Sequence, residues 1–159
     1  MPKVLRVGLV QQKCGKNPKE NLRSTKEAVT SAADSGAQLI CLQELFGSPY
    51  FCQTEDPRNF GAAEEIPGPI TCEFSELACS LGVDLVVPIF ERRSAGLYHN
   101  SAVVLDRRGE IVSHYRKMHI PDDPHYYEKY YFSPGDLGYP TADLKDTKVG
   151  TLICWDQWF

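Results

Sequence analysis

The sequence predicts an α/β layered fold in which a mixed sheet is covered by helices on one face. Three observations predict it. Apolar runs at residues 6–10 and 38–42 read as buried strands, and the second is continuous in apolar character, as expected of a strand covered on both faces. Two intervening or following segments repeat apolar residues at three- and four-residue steps, the period of an amphipathic helix. Beyond residue 83 the strands are separated only by short turns, so the order β-α-β-α-β-β-β describes strand–helix units followed by an antiparallel meander.

The elements follow in order. After the first strand, Asn17 is placed to cap a helix, Pro18 to occupy its first position and Glu20 to close a capping box. The apolar stripe is Leu22, Thr25, Val29, Ala32 and Ala33, and Gly36 sits where a left-handed helix terminus belongs. Residues 46–67 are rich in proline, glycine and aromatics, too long for a simple connection and so a candidate functional loop. A second helix is expected at about 70–81, with Ile70, Phe74, Leu77, Ala78 and Leu81 on one face and Gly82 ending it. Cys72 and Cys79, seven apart on it, read as packing residues. Strands at 83–90, 98–105 and 110–115 follow, with turns at Ser94-Ala95-Gly96 and at Asp106-Arg107-Arg108-Gly109. Residues 118–140 form a second irregular stretch containing five tyrosines. A last strand is expected over 148–153, delivering Cys154 to the rim of the sheet.

Composition excludes several classes. At 42% hydrophobic and 24% charged, the chain of 159 residues can bury a core of its own. A formal charge of −4 without a basic stripe argues against a nucleic-acid partner. The first ten residues are too short and too interrupted for a secretory leader, and no long apolar run suits a membrane span, so a cytoplasmic location is expected. Six irregularly spaced cysteines, without a Cys-x-x-Cys pair, are expected to be reduced thiols. The four histidines show no metal spacing with them, so no metal is expected.

Three ionisable side chains share one address, a residue or two beyond the end of an expected strand: Glu44, Lys117 and Cys154. Strands lying side by side would bring such ends together. Singly, each is more often a surface charge or a core thiol. Jointly they suffice for acyl transfer to sulfur, in which a carboxylate takes the thiol proton, the thiolate attacks, and an ammonium steadies the negative charge that forms.

Gln43-Glu44-Leu45-Phe46, Tyr115-Arg116-Lys117-Met118-His119-Ile120-Pro121 and Leu152-Ile153-Cys154-Trp155-Asp156 resemble the Glu, Lys and Cys motifs of the nitrilase superfamily of carbon–nitrogen hydrolases. The longer stretches 44–53 and 117–138 resemble its N-carbamoylputrescine amidase branch. The resemblance implies an α-β-β-α sandwich and thiol-dependent hydrolysis of a ureido or amide C–N bond without metal or organic cofactor. It implies Glu44 as general base, Lys117 as oxyanion support, Cys154 as nucleophile and Glu128 as a second glutamate beside the lysine that helps place substrate or water. The backbone N–H of Trp155 would be a further oxyanion donor. N-carbamoylputrescine would give putrescine, ammonia and carbon dioxide. Its cationic tail would suit Asp122, Asp123 and Tyr127 with the neighbouring tyrosines, by charge pairing and cation–π contact, although Asp122-Asp123 suits a plain turn equally well.

Family members run to nearly twice this length, so residues 1–159 read as the N-terminal portion of such a domain, cut after the nucleophile motif. Trp155, Trp158 and Phe159 would then lie exposed, and the thiol would lack a following helix dipole. A homo-oligomer is expected of the complete form. The alternatives are an inactive half-domain acting as a binding or regulatory partner, and a β-ureidopropionase or ω-amidase of the same superfamily.

Overall fold

A computed structural model describes residues 4–159. The opening Met1-Pro2-Lys3 of the stretch read against a leader lies outside the described residues. Five strands form the central sheet in chain order: β1 Val7–Val10, β2 Leu39–Leu42, β3 Asp84–Ser94, β4 Leu97–Leu105 and β5 Ile111–Arg116. The pairs β1–β2 and β2–β3 are parallel, and β3–β4 and β4–β5 antiparallel. This is the mixed sheet expected from two strand–helix units running into a meander.

Helix α1, Pro18–Asp34, and helix α2, Pro69–Leu81, pack on one face. Between them and the sheet lies a core that includes Val29, Ile40, Phe46, Phe74, Ala78, Leu85, Val87, Val103 and Leu105. The stripes read from the sequence, with Thr25 buried among them, supply the helix side of it, and Thr71 of α2 is buried as well. At the start of α1, Asn17 accepts from the Lys19 N–H, but Glu20 does not close a box and pairs instead with Arg23 on the solvent side. At its end, Gly36 has φ 88°, and the bonds Gly36 N–H to Ala33 O and Ala37 N–H to Ala32 O close a Schellman turn. Cys72 and Cys79 do not pack: both are exposed, because Thr71, Phe74 and Ala78 hold the buried side of α2. All six cysteines are free thiols.

The two irregular stretches contain short structure. Tight 3₁₀ turns at Phe51–Gln53 and Pro57–Ala62 break the first. The second forms a small ribbon, β6 Asp122–Asp123 with β7 Tyr126–Tyr127, and one turn of helix, α3 Glu128–Tyr131. Aromatic rings hold the two loops together: Phe51 meets Phe90 and Tyr131, and Phe60 meets Tyr98 and Tyr131.

The last strand differs from expectation. Only β9, Lys148–Gly150, is strand, and it pairs with β8, Thr141–Asp143, in a separate antiparallel ribbon. The turn bond from Leu144 N–H to Thr147 O closes that hairpin locally, so these backbone groups do not join the main sheet. Residues 151–153 then continue across the sheet face opposite the helices, where Ile153 packs with Ala102 and Tyr115. On that same face Leu9 is 80% exposed. Cys154–Trp158 is a 3₁₀ turn, and Trp158 and Phe159 stand exposed beyond it.

Candidate active site

Strands β2, β3 and β5 run in one direction, so the residues after β2 and β5 emerge at the same rim. Two strands separate them, contrary to the side-by-side arrangement expected. The long side chain of Lys117, fully buried, spans the gap. Its Nζ lies 3.0 Å from Glu44 Oε1 and 2.6 Å from Glu128 Oε2. The Lys117 backbone is pinned from both sides, its N–H donating to Asn100 O at 2.8 Å and its carbonyl accepting from Gly135 N–H at 2.8 Å. Only glycine fits at 135, since a Cβ there would collide with the Arg116 carbonyl.

Around this ammonium the polar groups form a chain. Asn100 Nδ2 donates to Glu44 Oε1 at 2.6 Å, and Tyr50 OH donates to Glu128 Oε1 at 2.8 Å. Burial pushes the Lys117 ammonium toward losing its proton, but the charges of Glu44 and Glu128 outweigh it, so its pKa is raised and the group stays charged. Burial lifts the Glu128 carboxyl, against the pull of Lys117.

Cys154 reaches the same place along the segment 151–153. A cavity of about 280 Å³ has both Glu44 and Cys154 in its wall, with Cys41, Val86, Ala102 and Leu152. The thiol is raised above its ordinary range, first by burial and then by the Glu44 charge, while Lys117 pulls it down. It is therefore a protonated thiol at neutral pH, and a base has to create the thiolate. Two non-glycine residues in this site hold left-handed backbone, Leu45 at φ 53° directly after Glu44, and Cys154 itself at φ 47°. Such strain persists where surrounding contacts over-determine it. At Cys154 those contacts come from Asp156, which is buried and accepts the Ile153 N–H at 2.9 Å and the Tyr115 hydroxyl at 2.7 Å.

The structure thus brings together Glu44, Lys117, Glu128 and Cys154. Trp155 follows Cys154 in the 3₁₀ turn. Asp122 and Asp123 stand exposed on the β6–β7 ribbon, and Tyr127 sits half-buried directly before Glu128. Sequence reasoning missed Asn100, Tyr50 and Asp156 as parts of the arrangement. One signal was available for the first: His99-Asn100-Ser101 is a polar run inside a central strand, and all three are buried. Among the described residues no group of three or more His, Cys, Asp or Glu side chains is arranged to hold a metal ion, and no helix is long and apolar enough to cross a membrane.

Fold and site together define an α/β protein that presents a thiol, carboxylates and a buried ammonium at one rim of its sheet, the equipment of thiol-dependent acyl transfer. The chain belongs to the carbon–nitrogen hydrolase family, whose model it matches over residues 6–159. It is 39% identical to an N-carbamoylputrescine amidase of Solanum lycopersicum, over 99% of this chain and 52% of that protein. It is 40% identical to a citrullinase of Francisella tularensis, over 98% of this chain and 54% of the other. Among solved structures, a carbon–nitrogen hydrolase from Helicobacter pylori G27 superposes with a TM-score of 0.92 at 41% identity, covering 98% of this chain and 53% of that one. The chain spans about half the length of these relatives.

Proposed function

We propose that this chain carries the catalytic residues of a hydrolase that cleaves the ureido C–N bond of N-carbamoylputrescine. The observation that supports it most directly is that Glu44, paired with the buried Lys117 and Glu128, shares a cavity wall with Cys154. In this reading Glu44 takes the thiol proton and Cys154 sulfur attacks the ureido carbon. The oxyanion that forms is met by the Lys117 ammonium and the Trp155 N–H. The bond to the terminal nitrogen breaks, ammonia leaves with the proton held by Glu44, and a carbamoyl thioester remains on Cys154. Water, losing a proton to Glu44, then splits the thioester, and the released carbamate decomposes to putrescine and carbon dioxide. Glu128 holds Lys117 in place, while Asp122, Asp123 and Tyr127 receive the cationic amine tail.

Val7 and Leu9, exposed together on the β1 face opposite the helices, support a reading in which a further layer covers that face in the working form, which we take to be a homo-oligomer. The same exposure supports, as a second reading, a binding role without turnover. Ammonia release from N-carbamoylputrescine, citrulline, β-ureidopropionate and simple ω-amides tests both. Preference for N-carbamoylputrescine, abolished in Cys154→Ala, is the expected result. Preference for citrulline or an ω-amide would overturn the substrate, and turnover unchanged by Cys154→Ala would overturn the mechanism.

A further inference from the structure

Asp156 is 2% exposed, yet its two oxygens accept four donors. Oδ2 takes the Ile153 N–H at 2.9 Å and the Tyr115 hydroxyl at 2.7 Å. Oδ1 takes the His119 backbone N–H at 2.9 Å and faces His119 Nδ1 at 2.8 Å. The Asp156 N–H in turn donates to Ile153 O at 3.1 Å, so the turn bearing Cys154 is closed in both directions. One carboxylate therefore grips the backbone just before the thiol and, with its other oxygen, the segment two residues beyond Lys117. Phe159 adds a stacked contact on the His119 ring, with centroids 4.0 Å apart.

We propose that Asp156 is a positioning residue that fixes Cys154 against Lys117, locking the left-handed nucleophile turn to the segment that carries the ammonium. It touches neither thiol nor ammonium. Its effect travels through Ile153 on one side and through Tyr115 and His119 on the other. A carboxylate suits the post because it is acceptor-only and can serve four donors at once, whereas an asparagine of the same shape brings two donors of its own into a site that offers only donors. In Asp156→Asn one arm of the grip is lost and the sulfur drifts from its place.

The role of Asp156 in turnover rests on the hydrolase reading above, so the test has a second readout that does not. The pH midpoint for alkylation of Cys154 by iodoacetamide, read on the peptide that carries it because Cys72 and Cys79 are exposed too, is measured in wild type, Asp156→Asn and Tyr115→Phe, together with kcat and KM for N-carbamoylputrescine per Cys154 thiol. In Asp156→Asn the midpoint should fall toward that of an ordinary thiol, because the sulfur leaves the burial and the Glu44 charge that hold it up. The kcat should fall by about 100-fold with KM little changed, as expected for misplacement on the order of 1 Å. Tyr115→Phe removes one of the ties and keeps the carboxylate, so it should move both quantities the same way by less. It also keeps the test open if Asp156→Asn does not fold. A lowered Tm with unchanged midpoint and unchanged kcat per thiol would overturn the proposal. Wild-type protein that hydrolyses no ureido compound would overturn the functional reading alone, and the midpoints would still decide the part played by Asp156.

Discussion

Glu128 Oε2 lies 2.6 Å from Lys117 Nζ with both side chains buried, and neither group has water to fall back on. Lys117 also bridges Glu44, so replacing it with alanine leaves two carboxylates facing each other without a cation. Breaking a buried pair in this way costs about 3–5 kcal/mol. Lys117→Ala should therefore show a lowered urea midpoint as well as lost turnover. A variant as stable as wild type would mean that the ammonium is not holding the carboxylates together.

The state of the thiol gives a signed prediction. Burial and the Glu44 charge both raise it, so its alkylation rate should keep climbing with pH beyond the ordinary thiol range. Glu44→Gln removes the larger of the charges acting on it and should shift the alkylation curve to lower pH. Turnover should move the opposite way, falling by about 10²–10⁴-fold, because the general base is gone. An alkylation curve unmoved by Glu44→Gln would show that the carboxylate and the sulfur do not share the site.

Much of this was legible in the sequence because its signals are local. Asn17-Pro18 starts α1 and Gly36 ends it by backbone preference alone, and Phe74 and Ala78 fall on the buried side of α2 by period. The positions of Glu44 and Lys117 followed from strand ends. What failed was non-local. The pairing of β9 with β8 rests on a three-residue strand too short to give a pattern, and the exposure of Cys72 and Cys79 depends on which side of α2 meets the sheet. The ties from Asn100, Tyr50 and Asp156 join residues far apart in the chain, 41 positions in the Tyr115–Asp156 bond and 78 in the Tyr50–Glu128 bond. No periodicity encodes such pairs.

The core beneath the site gives a test of packing. Phe74 is fully buried on α2 and meets Phe46 edge-on, with ring centroids 5.4 Å apart. Phe46 follows Glu44 by two residues, so the helix layer supports the loop that carries the carboxylate. Phe74→Ala should cost about 3–5 kcal/mol in urea unfolding. Phe74→Leu, which refills most of the volume, should recover more than half of that loss. Equal losses in both variants would point to the aromatic contact and away from the cavity.

Acid stability should be governed by Glu91, on the face of the sheet turned away from the thiol. Its buried carboxylate accepts from the Arg116 guanidinium, the Ser101 hydroxyl and His114. Burial alone would raise its pKa, but the bonds from Arg116, His114 and Ser101 outweigh burial and hold it far below the usual carboxylate range. Because the folded pKa is depressed, the unfolded chain binds the proton first. The stabilisation is complete above the unfolded value of about 4.3 and drains away as pH falls below it. Glu128 has the opposite sign, its raised pKa giving a contribution lost as pH rises through the folded value. Urea midpoints taken from about pH 6 down to about pH 2.5 should therefore drop steeply in wild type. In Glu91→Gln they should start lower and fall less, since the group that takes up the proton is gone. A slope as steep in the variant as in wild type would assign the acid sensitivity to another carboxylate.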